Sequence, residues 1–171
     1  MKDDLCIVTG CNGSIGRSIA SSFKKKGFLV LGIDKSKSFS KDIDIPFHYD
    51  LNEIVNSEDY LLEFKKDLNV YLKKHNVKVL INNAAIQILS RSTMSDIKSL
   101  KDSFGINAVA PFLIYRLVSK YLAKNDGCLV NIGSIHSSLT KDKFGLYASS
   151  KAALKSLTSS IAIENNGSPL T

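Results

Sequence analysis

The feature that most limits how this chain can fold lies near its start. An apolar run, Leu5 to Thr9, meets the glycine-rich stretch TGCNGSIG and then the helical spacing Ile15, Ile19, Ala20 and Phe23. A strand that must turn at once into a helix needs glycine's permissive backbone at the turn. The rest of the chain repeats the alternation. Strand-like segments are predicted at 28–34, 45–51, 77–85 and 128–134, and helical ones at about 58–74, 94–101, 104–123 and 147–164. Pro111 predicts a kink or a late start within the 104–123 helix. Strands alternating with helices at this spacing call for a mostly parallel, doubly wound sheet in a three-layer αβα arrangement. No linker or repeat divides residues 1–171, so a single Rossmann-like domain is expected.

Composition narrows the classes of partner. Hydrophobic content of 44% and charged content of 23% suit a globular domain with a real core, and the longest apolar runs are strand-sized, far short of a membrane span. The opening MKDDLCIVTG moves straight into a strand, so a cytoplasmic protein without a membrane partner is expected. The net charge of +7 raises the question of nucleic acid. The lysines, however, come in twos and threes among Asp59, Glu63 and Asp67, with no aromatic residues interleaved along a basic stripe, and this reads as a solvated surface. Cys6, Cys11 and Cys128 show no CxxC spacing, which supports neither a disulfide framework nor a zinc site.

Two groups of residues carry chemistry. Around the first turn, Gly10, Gly13 and Gly16 let a pyrophosphate approach the backbone closely. A helix starting near Ser14 would offer it free N–H groups and a positive dipole end. Asn12, Ser14 and Ile15 belong to the same turn. Asp34 closes the second strand, where an acid can accept hydrogen bonds from adenosine ribose hydroxyls, and this predicts NAD in preference to NADP. Lys35 beside it is the counter-signal, since a base there could pair a 2′-phosphate.

The second group is Ser134, Tyr147 and Lys151, spaced Ser-x12-Tyr-x3-Lys after a strand ending NIGS. Reducing a ketone requires a proton donor beside the carbonyl, and oxidising an alcohol requires the reverse. A free tyrosine is a poor base at neutral pH, and a nearby ammonium favours its phenolate. The i, i+4 spacing puts Tyr147 and Lys151 on one helical face, and Ser134 is placed to hydrogen-bond a substrate oxygen. His136 reads equally as a wall of the substrate pocket or as a solvated loop residue.

Taken in this order, the glycine-rich turn and the Ser/Tyr/Lys set resemble the short-chain dehydrogenase/reductase family, over Thr9 to about Glu164. The resemblance implies direct hydride transfer between nicotinamide and a small alcohol or ketone, with no metal. It also implies that Tyr147 and Lys151 contact the nicotinamide ribose and that Asn107 supports a water-mediated proton relay to the lysine. Asp50-Leu51 matches the family's adenine-side pair, and Asn82-Asn83-Ala84-Ala85 its NNAG segment, which adds Asp50, Leu51, Asn83, Ala84 and Ala85 to the cofactor set.

The pattern departs from the family in two places. Ser14 stands where the main branch has its middle glycine, which is similar to the extended branch of nucleotide-sugar epimerases and dehydratases. The family's later strands, with their proline-glycine turn and substrate-covering segment, find no match before Thr171. A C-terminally truncated member is therefore expected, whether a fragment, a shortened product or a domain completed by another chain. With strand five then at the sheet edge, a homo-oligomer is expected. An NAD(P)-dependent alcohol dehydrogenase or carbonyl reductase is the leading expectation. The alternatives are an epimerase or dehydratase, a reductase acting on a carrier-bound acyl group, and a non-catalytic dinucleotide-binding fragment.

Overall fold

The computed structural model describes residues 2–165. Its sheet has five parallel strands, β1 (Asp4–Thr9), β2 (Leu29–Asp34), β3 (Ile45–His48), β4 (Asn76–Asn82) and β5 (Cys128–Asn131), in the order β3-β2-β1-β4-β5. β1 is central, and all but its first residue are buried, as expected of a parallel strand covered on both faces.

Alternation along the strands sorts their side chains between two cores. Leu5 and Ile7 of β1, Leu31 and Ile33 of β2, and Val77 and Leu80 of β4 enter the larger core. Against them pack α2 (Leu51–Asn56), α3 (Glu58–Lys74), α5 (Ala110–Lys124) and α6 (Gly145–Glu164), through Ile54, Phe64, Leu68, Ile114, Val118 and Ile161 among others. Cys6, Val8, Val30 and Ile81 face the other way, towards Ala20, Ile19 and Phe23 of α1 (Ser14–Lys25).

Local signals set the helix ends. The Ser57 hydroxyl accepts from Tyr60 N–H to cap α3, whose first turn carries Glu58 and Asp59 and whose last carries Lys73 and Lys74, matching the helix dipole. α4 (Ile97–Phe104) is capped by Asp96, which accepts from Ser99 N–H at 2.6 Å. α4 then runs without a break through a π-turn at Gly105–Val109 into α5, with Pro111 in the first turn of α5. The late start expected from the proline is observed, since α-helical bonding in α5 begins only at Ala110. The proline sits just after the widened turn, where its missing N–H is accommodated.

Three predicted segments are shorter than expected. β3 ends at His48 rather than 51, because the Asp50 carboxylate accepts from Asn52 N–H at 2.8 Å and starts α2. β4 stops at Asn82 and β5 at Asn131. Helix α6 begins at Gly145, two residues before Tyr147. No described helix is long and apolar enough to cross a membrane.

Candidate active site

The strand order reverses between β1 and β4, whose neighbours continue outward on opposite sides. In an open parallel sheet a crevice forms there, beyond the carboxyl ends of the strands. The structure has a cleft of about 370 Å³ at this point, lined by Gly10, Gly13, Ser14, Ile15, Ile33, Asp34, Lys35, Tyr49, Asp50, Leu51, Asn83, Ala84, Ala85, Ile86 and Ile106. Ten of the predicted cofactor residues thus meet in one wall. Asn12 and Gly16 stand behind it.

Each glycine of the turn has its own reason. Gly10 has φ +62°, and a methyl group there would lie 2.8 Å from Ala84 Cα, so both backbone hand and space demand glycine. A methyl group on Gly16 would overlap the Gly10 carbonyl oxygen and lie 2.8 Å from Cys11 Cα, because α1 packs directly on the loop. Gly13 differs. Its φ is −68°, and a methyl group would meet only Gly10 O at 3.5 Å, so nothing in the chain itself requires a glycine. No side chain caps α1, whose first two residues, Ser14 and Ile15, line the cleft. Its leading N–H donors are left to whatever fills that space, and an anion suits them. This open cradle fits the pyrophosphate of a dinucleotide.

Around the cradle, hydrogen bonds fix the strand ends. Thr9 Oγ accepts from the N–H groups of Asn83 and Ala84, each at 3.0 Å, and Asn83 Nδ2 donates to the carbonyls of Thr9 and Gly10 at 3.1 Å. Asp34 is held by two backbone donors, Asn12 N–H at 3.0 Å and Ser36 N–H at 2.9 Å, which leave each carboxylate oxygen further acceptor capacity. The Asn12 side chain points away from the cleft wall and donates to Ser38 O at 2.8 Å. At the β3 end, Tyr49 donates to Asp67 at 2.7 Å and packs against Phe47, Tyr60 and Phe64, which makes the wall beneath Asp50 rigid.

The second group assembles on α6 and the segment after β5. Lys151 is 2% exposed, and its ammonium donates to Ile132 O at 2.6 Å. Burial pulls its pKa below the ordinary lysine value. Ser134 caps a short 3₁₀ turn over Ile135–Ser137 by accepting from His136 N–H at 3.2 Å, which leaves its own proton free to donate. The His136 ring stacks on Phe144 at 4.4 Å and stands 6.5 Å from the Tyr147 ring, while its Nδ1 pairs with Leu139 O at 2.8 Å. The 132–136 segment is therefore held at both ends, by Lys151 of α6 and by Phe144, the residue that caps α6. Tyr147 itself is half-buried.

Asn107 is fully buried in the π-turn, and its side chain is committed. Oδ1 accepts from Ile86 N–H at 2.8 Å, while Nδ2 donates to Ile86 O at 2.8 Å and to Ser150 Oγ at 2.9 Å. Ser134, Tyr147, Lys151 and Asn107 are not part of the cleft wall, but Ile86 of the wall is hydrogen-bonded to Asn107 and Ile106 of the wall precedes it in the chain. Thr9, Ile33, Tyr49, Ile86 and Ile106 had not been singled out in the sequence. Tyr49 and Ile86 were within reach, since each adjoins a recognised segment.

A switch-point crevice with an open helix start, beside a buried lysine and a tyrosine one turn apart, defines a dinucleotide-type α/β domain with acid/base groups at hand. The family model for short chain dehydrogenase matches residues 4–168, and the chain belongs to that family. It is 28% identical over 166 residues to "Short-chain dehydrogenase RED1" of Pyricularia oryzae, covering 95% of this chain and 58% of that protein. With the "NAD-dependent glycerol dehydrogenase" of Listeria innocua it shares 28% over 173 residues, covering 96% of this chain and 65% of that protein. The chain thus spans about three fifths of the length of these curated relatives. Among solved structures, a 4-hydroxyisoleucine dehydrogenase complexed with NADH and succinate superposes with a TM-score of 0.84 at 25% identity, covering 96% of this chain and 72% of that one.

Proposed function

We propose that this chain is the cofactor-binding and acid/base portion of an NAD-preferring alcohol dehydrogenase or carbonyl reductase. The observation that carries the reading is the cleft in which the uncapped start of α1, the open face of Gly13 and the carboxylate of Asp34 converge. The family membership and the NADH and NAD-dependent descriptions of its relatives support it. NAD, when bound, supplies or accepts the hydride.

The residues of the chain do the rest. The α1 N–H donors and the backbone of Gly10 and Gly13 would hold the pyrophosphate, and Asn83, Ala84 and Ala85 would form the facing wall. Asp34 would accept from the adenosine ribose, with Asp50 and Leu51 at the adenine side. Tyr147 holds the proton that passes to or from the substrate oxygen. Lys151, fixed on Ile132 O, would set the charge beside the phenol and hold the nicotinamide ribose. Ser134 donates its free proton to the substrate oxygen. Asn107 supports the set by clamping the Ile86 wall.

Calorimetric titration with NADH and NADPH tests this assignment. NADH is expected to bind more tightly, and Asp34→Ala is expected to narrow the difference by removing the carboxylate that repels a 2′-phosphate. Equal or tighter binding of NADPH by the unmodified chain would assign the site to Lys35 instead, which also lines the cleft.

A further inference from the structure

Ser150 has no assigned role, yet it is fully buried on the acid/base helix α6, three residues after Tyr147. Its hydroxyl accepts from Asn107 Nδ2 at 2.9 Å and donates to Tyr147 O at 2.8 Å. Asn107 in turn grips both the N–H and the carbonyl of Ile86, a wall residue of the cleft. An unbroken line of hydrogen bonds therefore runs from the cofactor wall to the backbone of Tyr147. Each hydrogen in it is committed: one N–H of Asn107 Nδ2 to Ile86, the other to Ser150, and the Ser150 proton to Tyr147. An alanine at 150 would leave the Asn107 donor buried without a partner and cut the line at its midpoint.

Resting on the proposed cofactor reading, we infer that Ser150 is a positioning residue that couples occupancy of the cleft to the order of the Tyr147 turn. A dinucleotide lying against Ile86 restrains Asn107, Asn107 restrains Ser150, and Ser150 holds the first turn of α6. Coupling of this kind needs a physical connection that both sites bias, and here every link is a hydrogen bond, with the central one, from Asn107 to Ser150, fully buried and the others part-buried.

Hydrogen–deuterium exchange followed by mass spectrometry tests it, with the unmodified chain, Ser150→Ala and Ser150→Thr, each with and without ligand. Two ligands are used: NADH, and adenosine diphosphate ribose, which lacks the nicotinamide ring and so cannot restrain Tyr147 through that ring. In the unmodified chain both should slow exchange in residues 83–90 and also in 145–153. In Ser150→Ala the slowing at 83–90 should persist, while that at 145–153 should fall by about fivefold or more, the lower end of typical coupling between sites. Ser150→Thr, which keeps the hydroxyl, should restore it. Protection of 145–153 that survives in Ser150→Ala, or that only NADH produces in the unmodified chain, would overturn this inference and leave the cofactor reading standing. No slowing anywhere with either ligand would overturn the cofactor reading and this inference with it.

Discussion

Gly13, the N-cap of α1, and Gly16, in its first turn, lie three residues apart, and their replacement by alanine should have opposite consequences. At Gly16 the new methyl group meets backbone, the Gly10 carbonyl and Cys11 Cα at 2.8 Å, and neither can rotate away. Overpacking of this kind costs about 1–3 kcal/mol, and the upper half of that range is expected here. Alanine's better helix propensity offsets about 1 kcal/mol, so the net loss is about 1–2 kcal/mol. With a urea m-value of about 2 kcal/mol/M, the midpoint should fall by roughly 0.5–1 M with m unchanged.

At Gly13 the methyl group meets nothing closer than 3.5 Å, and φ of −68° suits alanine. The small N-cap loss and the gain from a less flexible unfolded chain roughly cancel, so stability should stay within about 0.5 kcal/mol. The methyl group would instead occupy the cleft. NADH affinity should fall by roughly 5–100-fold, the same overpacking cost now met by the ligand. Urea unfolding and fluorescence titration on both variants would decide. If Gly13→Ala is destabilised as much as Gly16→Ala, or binds NADH normally, the distinction between packing and cradle glycines is wrong.

In a preparation that turns over a simple ketone, Tyr147→Phe should lower kcat by about 10²-fold or more with NADH affinity largely kept, because only the transferable proton is lost; near-normal turnover would remove Tyr147 from the mechanism. Thr9→Val takes away the shared acceptor for Asn83 and Ala84 N–H and should cost about 1–3 kcal/mol in chemical denaturation; an unchanged midpoint would mean that other groups satisfy those donors. Burial pushes the thiols of Cys6 and Cys11 up to about 12, so neither should react with iodoacetamide at pH 8 until the chain unfolds. The unfolded thiols ionise near their ordinary value while the folded ones keep their protons, so this contribution is complete below about pH 9 and is lost as pH rises towards 12. Rapid alkylation of either thiol in the native protein would contradict the burial.

Long apolar periods were the most legible part of the fold. The runs at Leu5–Thr9 and Leu29–Asp34 and the Phe64, Leu68, Leu72 stripe of α3 each match an observed element. Helix α2 was not legible as a period, because six residues are too few to show one. Its sign was chemical, Asp50 followed by Glu53 in the pattern of a helix start. The π-turn has no sequence template of its own, and only Pro111 hinted at irregularity there.

The candidate site divides in the same way. Residues whose role is to leave space, such as Gly10 and Gly13, stand out in the sequence because glycine has few other reasons to recur. The side-chain commitments of Asn107 could not be foreseen, since they depend on Ile86 and Ser150 arriving from segments 21 and 43 residues away in the chain. Ile33, Tyr49 and Ile106 line the cleft as ordinary apolar or aromatic residues whose neighbours, not their types, place them there.

A crystal structure of the chain grown with NADH would test the central claim most directly. The pyrophosphate is expected over Gly10, Gly13 and the first N–H groups of α1, with the adenosine ribose on Asp34, the adenine beside Asp50 and Leu51, and the nicotinamide end directed towards Tyr147 and Lys151. A dinucleotide bound elsewhere on the molecule, or lying in the cleft with its nicotinamide end turned away from α6, would contradict the account.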